Sequence, residues 1–274
     1  MEISKVRTIH LAEKKSRGEK IVMLTAYDCP TGRLADQAGV DVVLVGDSVG
    51  SVVLGLRNAI GVTLDQMIHH CAAVSRGVER ALLVVDMPFM GHKISAEQAL
   101  TNAARLMQEG WAEAVKVEGG EEIAPTVARL VAAGIPIMGH IGLTPQSLHQ
   151  LGGYRVQGRT DREVERLLAD AHALADAGVF ALVVEQVQAT VGRRLTNAVT
   201  VPTIGIGAGP HCDGQVLVLH DLLGLQRVPK RFVKAYAQLD RVISDAIKQY
   251  AAEVRAGRFP SRRHSFTIPR KKGR

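Results

Sequence analysis

The chain has 274 residues, room for two average domains or for one α/β barrel, and its 46% apolar and 22% charged residues exclude a globally disordered protein. The net charge of +7 resides in the last stretch: Arg258, Arg262, Arg263, Arg270, Lys271, Lys272 and Arg274 occur there without an acid, and elsewhere basic and acidic residues balance at 27 each. With only 4% aromatic residues to stack on bases, the basic pI describes a tail and not a specific nucleic-acid-binding domain. The N-terminus lacks the apolar core of a signal peptide, and no apolar run approaches the roughly 18 residues of a membrane span. Cys29, Cys71 and Cys212 are odd in number and far apart, with no CxxC pair, as expected of reduced thiols in a cytoplasmic protein.

In chain order, residues 4–17 read as a helix placed to close the bottom of a barrel. Eight short apolar runs follow: IVMLTA from Ile21, VVLVG from Val42, ALLVVD from Ala81, EAVKVE from Glu113, IPIMGH from Ile135, FALVVE from Phe180, PTIGIG from Pro202 and VLVLH from Val216. Most are continuous, as in strands buried on both faces, and amphipathic stretches separate them. The clearest is Ser95 to Gly110, with Ser95 as N-cap and Gln98 completing a capping box; Thr63 to Gly77 and Asp161 to Gly178 read alike. Eight strands alternating with helices, with no linker between, predict an α/β fold: a single (β/α)8 TIM barrel over residues 1–257. Lys234 to Gly257 supplies extra C-terminal helices, and 258–274 is expected to be a basic, mobile tail.

Active sites of such barrels lie at the C-terminal ends of the strands, so polar residues ending apolar runs are the candidates. Asp47 and Ser48 follow strand two, Asp86 ends strand three, Lys116 and Glu118 share a face of strand four, His140 ends strand five and Glu185 ends strand six. Asp47 and Asp86 on adjacent strands are able to share a divalent cation, best Mg²⁺, or each to cap the loop that follows. Lys116 and Glu118 form an ion pair or serve a substrate anion and a metal-bound water. His140 is a structural histidine or a substrate contact. Glu185 suits a general base at the end of so apolar a run, unless it pairs with Arg193 or Arg194. The GIGAG cluster of Gly205, Gly207 and Gly209 fits phosphate binding and close packing equally.

Several long motifs occur in one order: TAYD at Thr25, LVGDS at Leu44, VKVEGG at Val115, GHIGLTPQS at Gly139, GGYRVQGR at Gly152, and IGIGAG with DGQVLVLHD to Asp221. Through them the sequence, from Thr8 to His264, closely resembles the ketopantoate hydroxymethyltransferase family. The resemblance implies transfer of a hydroxymethyl group from 5,10-methylenetetrahydrofolate to C3 of 3-methyl-2-oxobutanoate through a Mg²⁺-stabilised enolate, giving 2-dehydropantoate on the route to pantothenate and coenzyme A. It implies Asp47 and Asp86 as ligands of one Mg²⁺ per subunit, with Glu118 reaching it through water. Asp47, Ser48, Asp86, Lys116 and His140 would bind the 2-oxo acid, and Glu185 would take the C3 proton. It also implies a cytoplasmic homo-oligomer, a decamer. The stretch Ala59-Ile60-Gly61-Val62-Thr63 and the loop MGHKIS after Asp86 depart from the family pattern, and the basic end after His264 has no counterpart in it. The alternative reading is another Mg²⁺-dependent 2-oxo-acid barrel, of the phosphoenolpyruvate mutase and isocitrate lyase type.

Overall fold

In the computed structural model, which describes residues 4–226 and 230–267, eight parallel strands close into a barrel in sequential order, each hydrogen-bonded to the next and β8 to β1. The strands are β1 (Ile21–Thr25), β2 (Val42–Val45), β3 (Leu82–Asp86), β4 (Ala114–Glu118), β5 (Ile137–Gly142), β6 (Ala181–Glu185), β7 (Thr203–Ile206) and β8 (Gly214–Leu217). The helices are α1 (Thr8–Ser16), α2 (Cys29–Gln37), α3 (Val49–Val52), α4 (Leu64–Ser75), α5 (Ala96–Gln108), α6 (Ala124–Ala132), α7 (Leu148–Leu151), α8 (Asp161–Asp176), α9 (Ala189–Ala198), α10 (Leu219–Leu222) and α11 (Leu239–Arg255). The expected (β/α)8 barrel is therefore the observed fold.

Two compact units divide the chain, residues 1–219 with 230–233 and residues 220–229 with 234–274. The first holds the whole barrel; the second holds α11, which the sequence reading had grouped with the barrel through residue 257. Of the basic end, the residues from 268 onward lie outside the described residues.

Local sequence explains the helix starts. Thr63 caps α4 in a reciprocal box with Gln66, and Thr160 accepts from the Glu163 N–H at the start of α8. Ser95 Oγ accepts from the Gln98 N–H at 3.1 Å, which is the Ser95 half of the box expected there. The divergent stretch 59–63 forms a single 3₁₀ turn, Ala59–Gly61, that delivers Thr63 to its capping position.

The last strand differs from the expectation. β8 begins at Gly214 and ends at Leu217, and His220 belongs to α10. Gly214 and Gln215 pair with β1 on one side and β7 on the other, so the ladder closes two residues before the apolar run VLVLH begins. Gly214 is suited to this position because a Cβ would press on the Ile21 backbone.

Alternation along the strands connects the core to the site. Leu82 and Val84 of β3, Ala114 of β4, Met138 of β5, and Ala181 and Val183 of β6 join one buried cluster, which Val6 and Leu11 enter from the N-terminal segment and α1. The next positions of the same parity toward the strand ends are Asp86, Lys116 with Glu118, His140 and Glu185. The barrel interior is thus apolar in its lower layers and polar in the top one, because successive same-face residues stand one pleat higher.

Candidate active site

The top layer holds five ionisable side chains, Asp47, Asp86, Lys116, Glu118 and His140, each only 2% to 4% exposed. Such groups are stable in a protein interior only when they satisfy one another. The Lys116 ammonium lies 3.0 Å from Asp86 Oδ1, 4.0 Å from Glu118 Oε1 and 3.0 Å from His140 Nδ1. Asp86 Oδ2 accepts the Asp47 backbone N–H at 3.0 Å. Asp86 Oδ1 is buried without a directed hydrogen bond, so its contact with Lys116 is electrostatic. Neither aspartate accepts a helix-capping hydrogen bond within its own loop; Asp86 instead holds the turn after β2 through the Asp47 N–H.

Three carboxylates crowd around one lysine, and their protonation follows. Burial, then the charges of Asp86 and Glu118, push Asp47 up to about 8. Burial likewise raises Asp86 against the pull of Lys116. Burial opposes the charge on Glu118 as well, but His140, Lys116 and the Gln146 N–H outweigh it and hold this carboxyl at about 2. For His140, burial and the Lys116 ammonium disfavour the cation, while Glu118 and Glu185 overcome them and lift the imidazole to about 9. His140 Nδ1 lies 3.4 Å from Glu118 Oε1 and Nε2 3.3 Å from Glu185 Oε2, ion-pair contacts of a charged ring in which Nε2 makes no directed hydrogen bond; a neutral ring accepts from Lys116 at Nδ1.

Glu185 stands apart from this buried set, on the opposite side of His140. The alternative arginine partners lie elsewhere: Arg194 pairs with Glu165 at 2.9 Å, and Arg193 contacts His211. Glu185 instead meets His140 and, at 3.4 Å, the Gln186 amide. Its backbone is fixed by unusual geometry. Gln186 takes φ +45°, a left-handed value uncommon for residues other than glycine, and Gly142 at φ +92° sits where a Cβ would strike the Glu185 carbonyl. The Leu143 N–H donates to that same carbonyl at 2.9 Å.

Ser48 is held by a chain of hydroxyls. Its Oγ lies 2.8 Å from Tyr27 Oη, Thr25 Oγ1 donates to the tyrosine at 2.9 Å, and Thr25 in turn accepts the Leu219 N–H. Burial keeps the Tyr27 phenol well above its ordinary value. All seven residues singled out in the sequence thus gather at one barrel mouth.

Besides Tyr27, sequence reasoning overlooked three further residues here. Gln146, in the 3₁₀ turn after β5, hydrogen-bonds to both Asp47 and Glu118. His92, in the divergent MGHKIS loop, is buried with Nε2 2.9 Å from the Glu118 carbonyl, and burial lowers its pKa to about 4. Tyr154 is raised by burial and by Glu185, Asp47 and Glu118, which places its phenol in the field of the mouth. The TAYD, GHIGLTPQS and GGYRVQGR motifs held Tyr27, Gln146 and Tyr154, but no periodicity marks a side chain in a loop. The GIGAG glycines are explained by packing: Cβ atoms at Gly205, Gly207 and Gly209 would press on Cys212, Phe232 and Ala189. Among the described residues, no group of three or more His, Cys, Asp or Glu is spaced to hold a metal by itself.

The family model for ketopantoate hydroxymethyltransferase matches residues 5–262. A 3-methyl-2-oxobutanoate hydroxymethyltransferase of Moorella thermoacetica is 56% identical over 96% of this chain and 98% of its own length. One of Thermoanaerobacter sp. (strain X514) is 52% identical over 98% of this chain and 99% of its own. Among solved structures, a 2,3-dimethylmalate lyase of the PEP mutase/isocitrate lyase superfamily aligns with a TM-score of 0.58 at 15% identity, covering 94% of this chain and 91% of the lyase; that likeness concerns the fold. With a whole-chain family match and relatives above half identity, the chain belongs to the ketopantoate hydroxymethyltransferase family of enzymes.

Proposed function

We propose that the protein transfers the one-carbon unit of 5,10-methylenetetrahydrofolate to C3 of 3-methyl-2-oxobutanoate, consuming one water and giving 2-dehydropantoate and tetrahydrofolate. The observation that carries this reading is the excess of buried carboxylate at the barrel mouth. Asp47, Asp86 and Glu118 outnumber Lys116, and Asp86 Oδ1 lacks a directed hydrogen bond. Their crowding raises Asp47 and Asp86, a cost that a divalent cation displacing those protons would relieve, and hard oxygen donors suit Mg²⁺, which takes one or two carboxylates and leaves positions for substrate and water. Asp47 and Asp86 would hold one Mg²⁺ per subunit, and Glu118 would reach it through water. Two carboxylates rather than a full cage fit a site that must also admit the oxygens of a 2-oxo acid.

When bound, the cation supplies Lewis acidity at the keto oxygen and so acidifies the C3–H. The protein side chains do the rest. Lys116 and Ser48 bind the carboxylate and keto oxygens, the serine oriented by Tyr27. Glu185 takes the C3 proton, with His140 at 3.3 Å holding its carboxylate beside the substrate site. The resulting enolate carbon attacks the methylene of the folate.

The same reading describes a cytoplasmic homo-oligomer, a decamer. The three free cysteines fit a reducing compartment, the apolar residues Val242, Ile243, Ile247, Tyr250 and Val254 that α11 exposes along one side fit association with another copy, and the number ten rests on the family resemblance alone. The direct test supplies the purified protein with 3-methyl-2-oxobutanoate, 5,10-methylenetetrahydrofolate and Mg²⁺. Formation of 2-dehydropantoate with stoichiometric tetrahydrofolate supports the proposal. Folate-independent C–C cleavage of a 2-hydroxy diacid would favour the lyase-like alternative.

A further inference from the structure

Gln146 does more at this mouth than fill the turn after β5. Its side-chain Nε2 donates to Asp47 Oδ2 at 2.9 Å and to the Met87 carbonyl at 2.9 Å, and its backbone N–H donates to Glu118 Oε2 at 3.0 Å. The Met87 carbonyl is a pure acceptor, so the amide has one workable orientation and Nε2 is the atom that faces it. The residue is 3% exposed, and its Oε1 is buried without a partner. One side chain and one N–H from the β5 turn therefore reach the ends of β2, β3 and β4 together.

The arrangement repeats on each carboxylate of the cluster. One oxygen of Asp47 is tied to the Gln146 amide, one of Asp86 to the Asp47 N–H, and one of Glu118 to the Gln146 N–H. A neutral donor fixes the rotation of each carboxylate without cancelling its charge; the second oxygens of Asp86 and Glu118 then face Lys116 and His140, and that of Asp47 is left over. For Asp47 this is Oδ1, which takes no hydrogen bond among the described residues. We infer that Gln146 is a positioning residue for the divalent cation, presenting Asp47 in the orientation that binds it; this rests on the metal reading proposed above. Outer hydrogen-bond partners of metal ligands typically contribute 10- to 100-fold in metal affinity.

The test uses Mn²⁺ alone as the probe, titrated into full-length protein and followed by electron paramagnetic resonance of the free ion, without substrate or turnover. Gln146→Met conserves volume and keeps the backbone donor to Glu118 while removing the amide. Gln146→Asn keeps an amide but withdraws it by one methylene, and carries the test if the methionine variant does not fold. Thermal melts in EDTA provide the control, since a residue that only packs the turn would lower the melting temperature and leave the Mn²⁺ Kd of folded protein alone. The expected result is a Kd weakened at least 10-fold in Gln146→Met, an intermediate weakening in Gln146→Asn, and a raised Mg²⁺ activation constant. Wild-type Mn²⁺ affinity in the folded variants would overturn the role of Gln146 while leaving the metal site intact. Absence of Mn²⁺ binding to the wild type would instead overturn the metal reading, and this proposal with it.

Discussion

Replacing Asp86 by asparagine separates the two things this carboxylate does. Asp86 sits 3.0 Å from Lys116 and accepts the Asp47 N–H, so the substitution sets an amide donor against one of two donors. Breaking a buried ion pair generally costs about 3–5 kcal/mol. The loss here should be smaller, because Lys116 keeps Glu118 at 4.0 Å and because removing a charge relieves the repulsion that raises Asp47. The effect of Mg²⁺ should be larger and opposite in clarity. At a concentration about 100 times its Kd, a ligand stabilises the native state by about 2.7 kcal/mol, which for a chain of this size raises Tm by roughly 5–10 °C. If losing one of two carboxylate ligands weakens binding about 100-fold, the same Mg²⁺ concentration yields only about 0.4 kcal/mol, or roughly 1 °C. Differential scanning fluorimetry of both proteins, with Mg²⁺ and with EDTA, reads the difference directly. An undiminished Mg²⁺-dependent shift in Asp86→Asn would refute the assignment of Asp86 as a ligand, whatever the variant does to activity.

Three further predictions follow from the geometry. Glu185→Gln preserves shape and the contact with His140 but removes the proton acceptor; turnover should fall about 10² to 10⁴-fold with Mg²⁺ and keto-acid binding kept, measured by steady-state kinetics beside calorimetric titration. Metal-free protein should lose stability as pH rises from about 5 to 9. Asp47 at about 8 and His140 at about 9 are both held above their unfolded values, so the native state binds more protons in that window, whereas Glu118 at about 2 stays ionised throughout it. Mg²⁺ should flatten this dependence, and chemical denaturation across that range shows whether it does. Gly142→Ala places a Cβ on a left-handed residue facing the Glu185 carbonyl, so it should destabilise the protein by at least about 1–2 kcal/mol and depress turnover out of proportion, by displacing Glu185. Equal melting temperature and activity in that variant would show that the Glu185 backbone is not held this way.

The fold was legible because parallel strands buried on both faces write themselves as uninterrupted apolar runs, and because the polar residues that end them share one parity. That is why Asp86, Lys116, Glu118, His140 and Glu185 were found as a set before any coordinates. The end of β8 was misplaced because VLVLH reads as a strand, while the pairing partners of Gly214 and Gln215, which decide the matter, lie on β1 and β7. The competing partners of Glu185 were equally invisible, since whether Arg194 reaches Glu185 or Glu165 depends on the facing of α8 and α9. Gln146 and His92 escaped because each lies in a loop whose sequence carries no period, and their importance comes from what they touch across the barrel mouth. The departure of MGHKIS from the family pattern was the one signal that bore on His92.

The central claim is that this mouth removes the C3 proton of a 2-oxo acid with the help of a divalent cation. It is tested most directly by proton NMR of 3-methyl-2-oxobutanoate in D₂O with purified enzyme, following the C3–H signal with Mg²⁺, with EDTA, and with tetrahydrofolate added. The account predicts loss of the C3 proton signal that requires Mg²⁺ and fails in Glu185→Gln. Retention of the C3 proton under every condition, or exchange that is indifferent to Mg²⁺ and to Glu185, would contradict it.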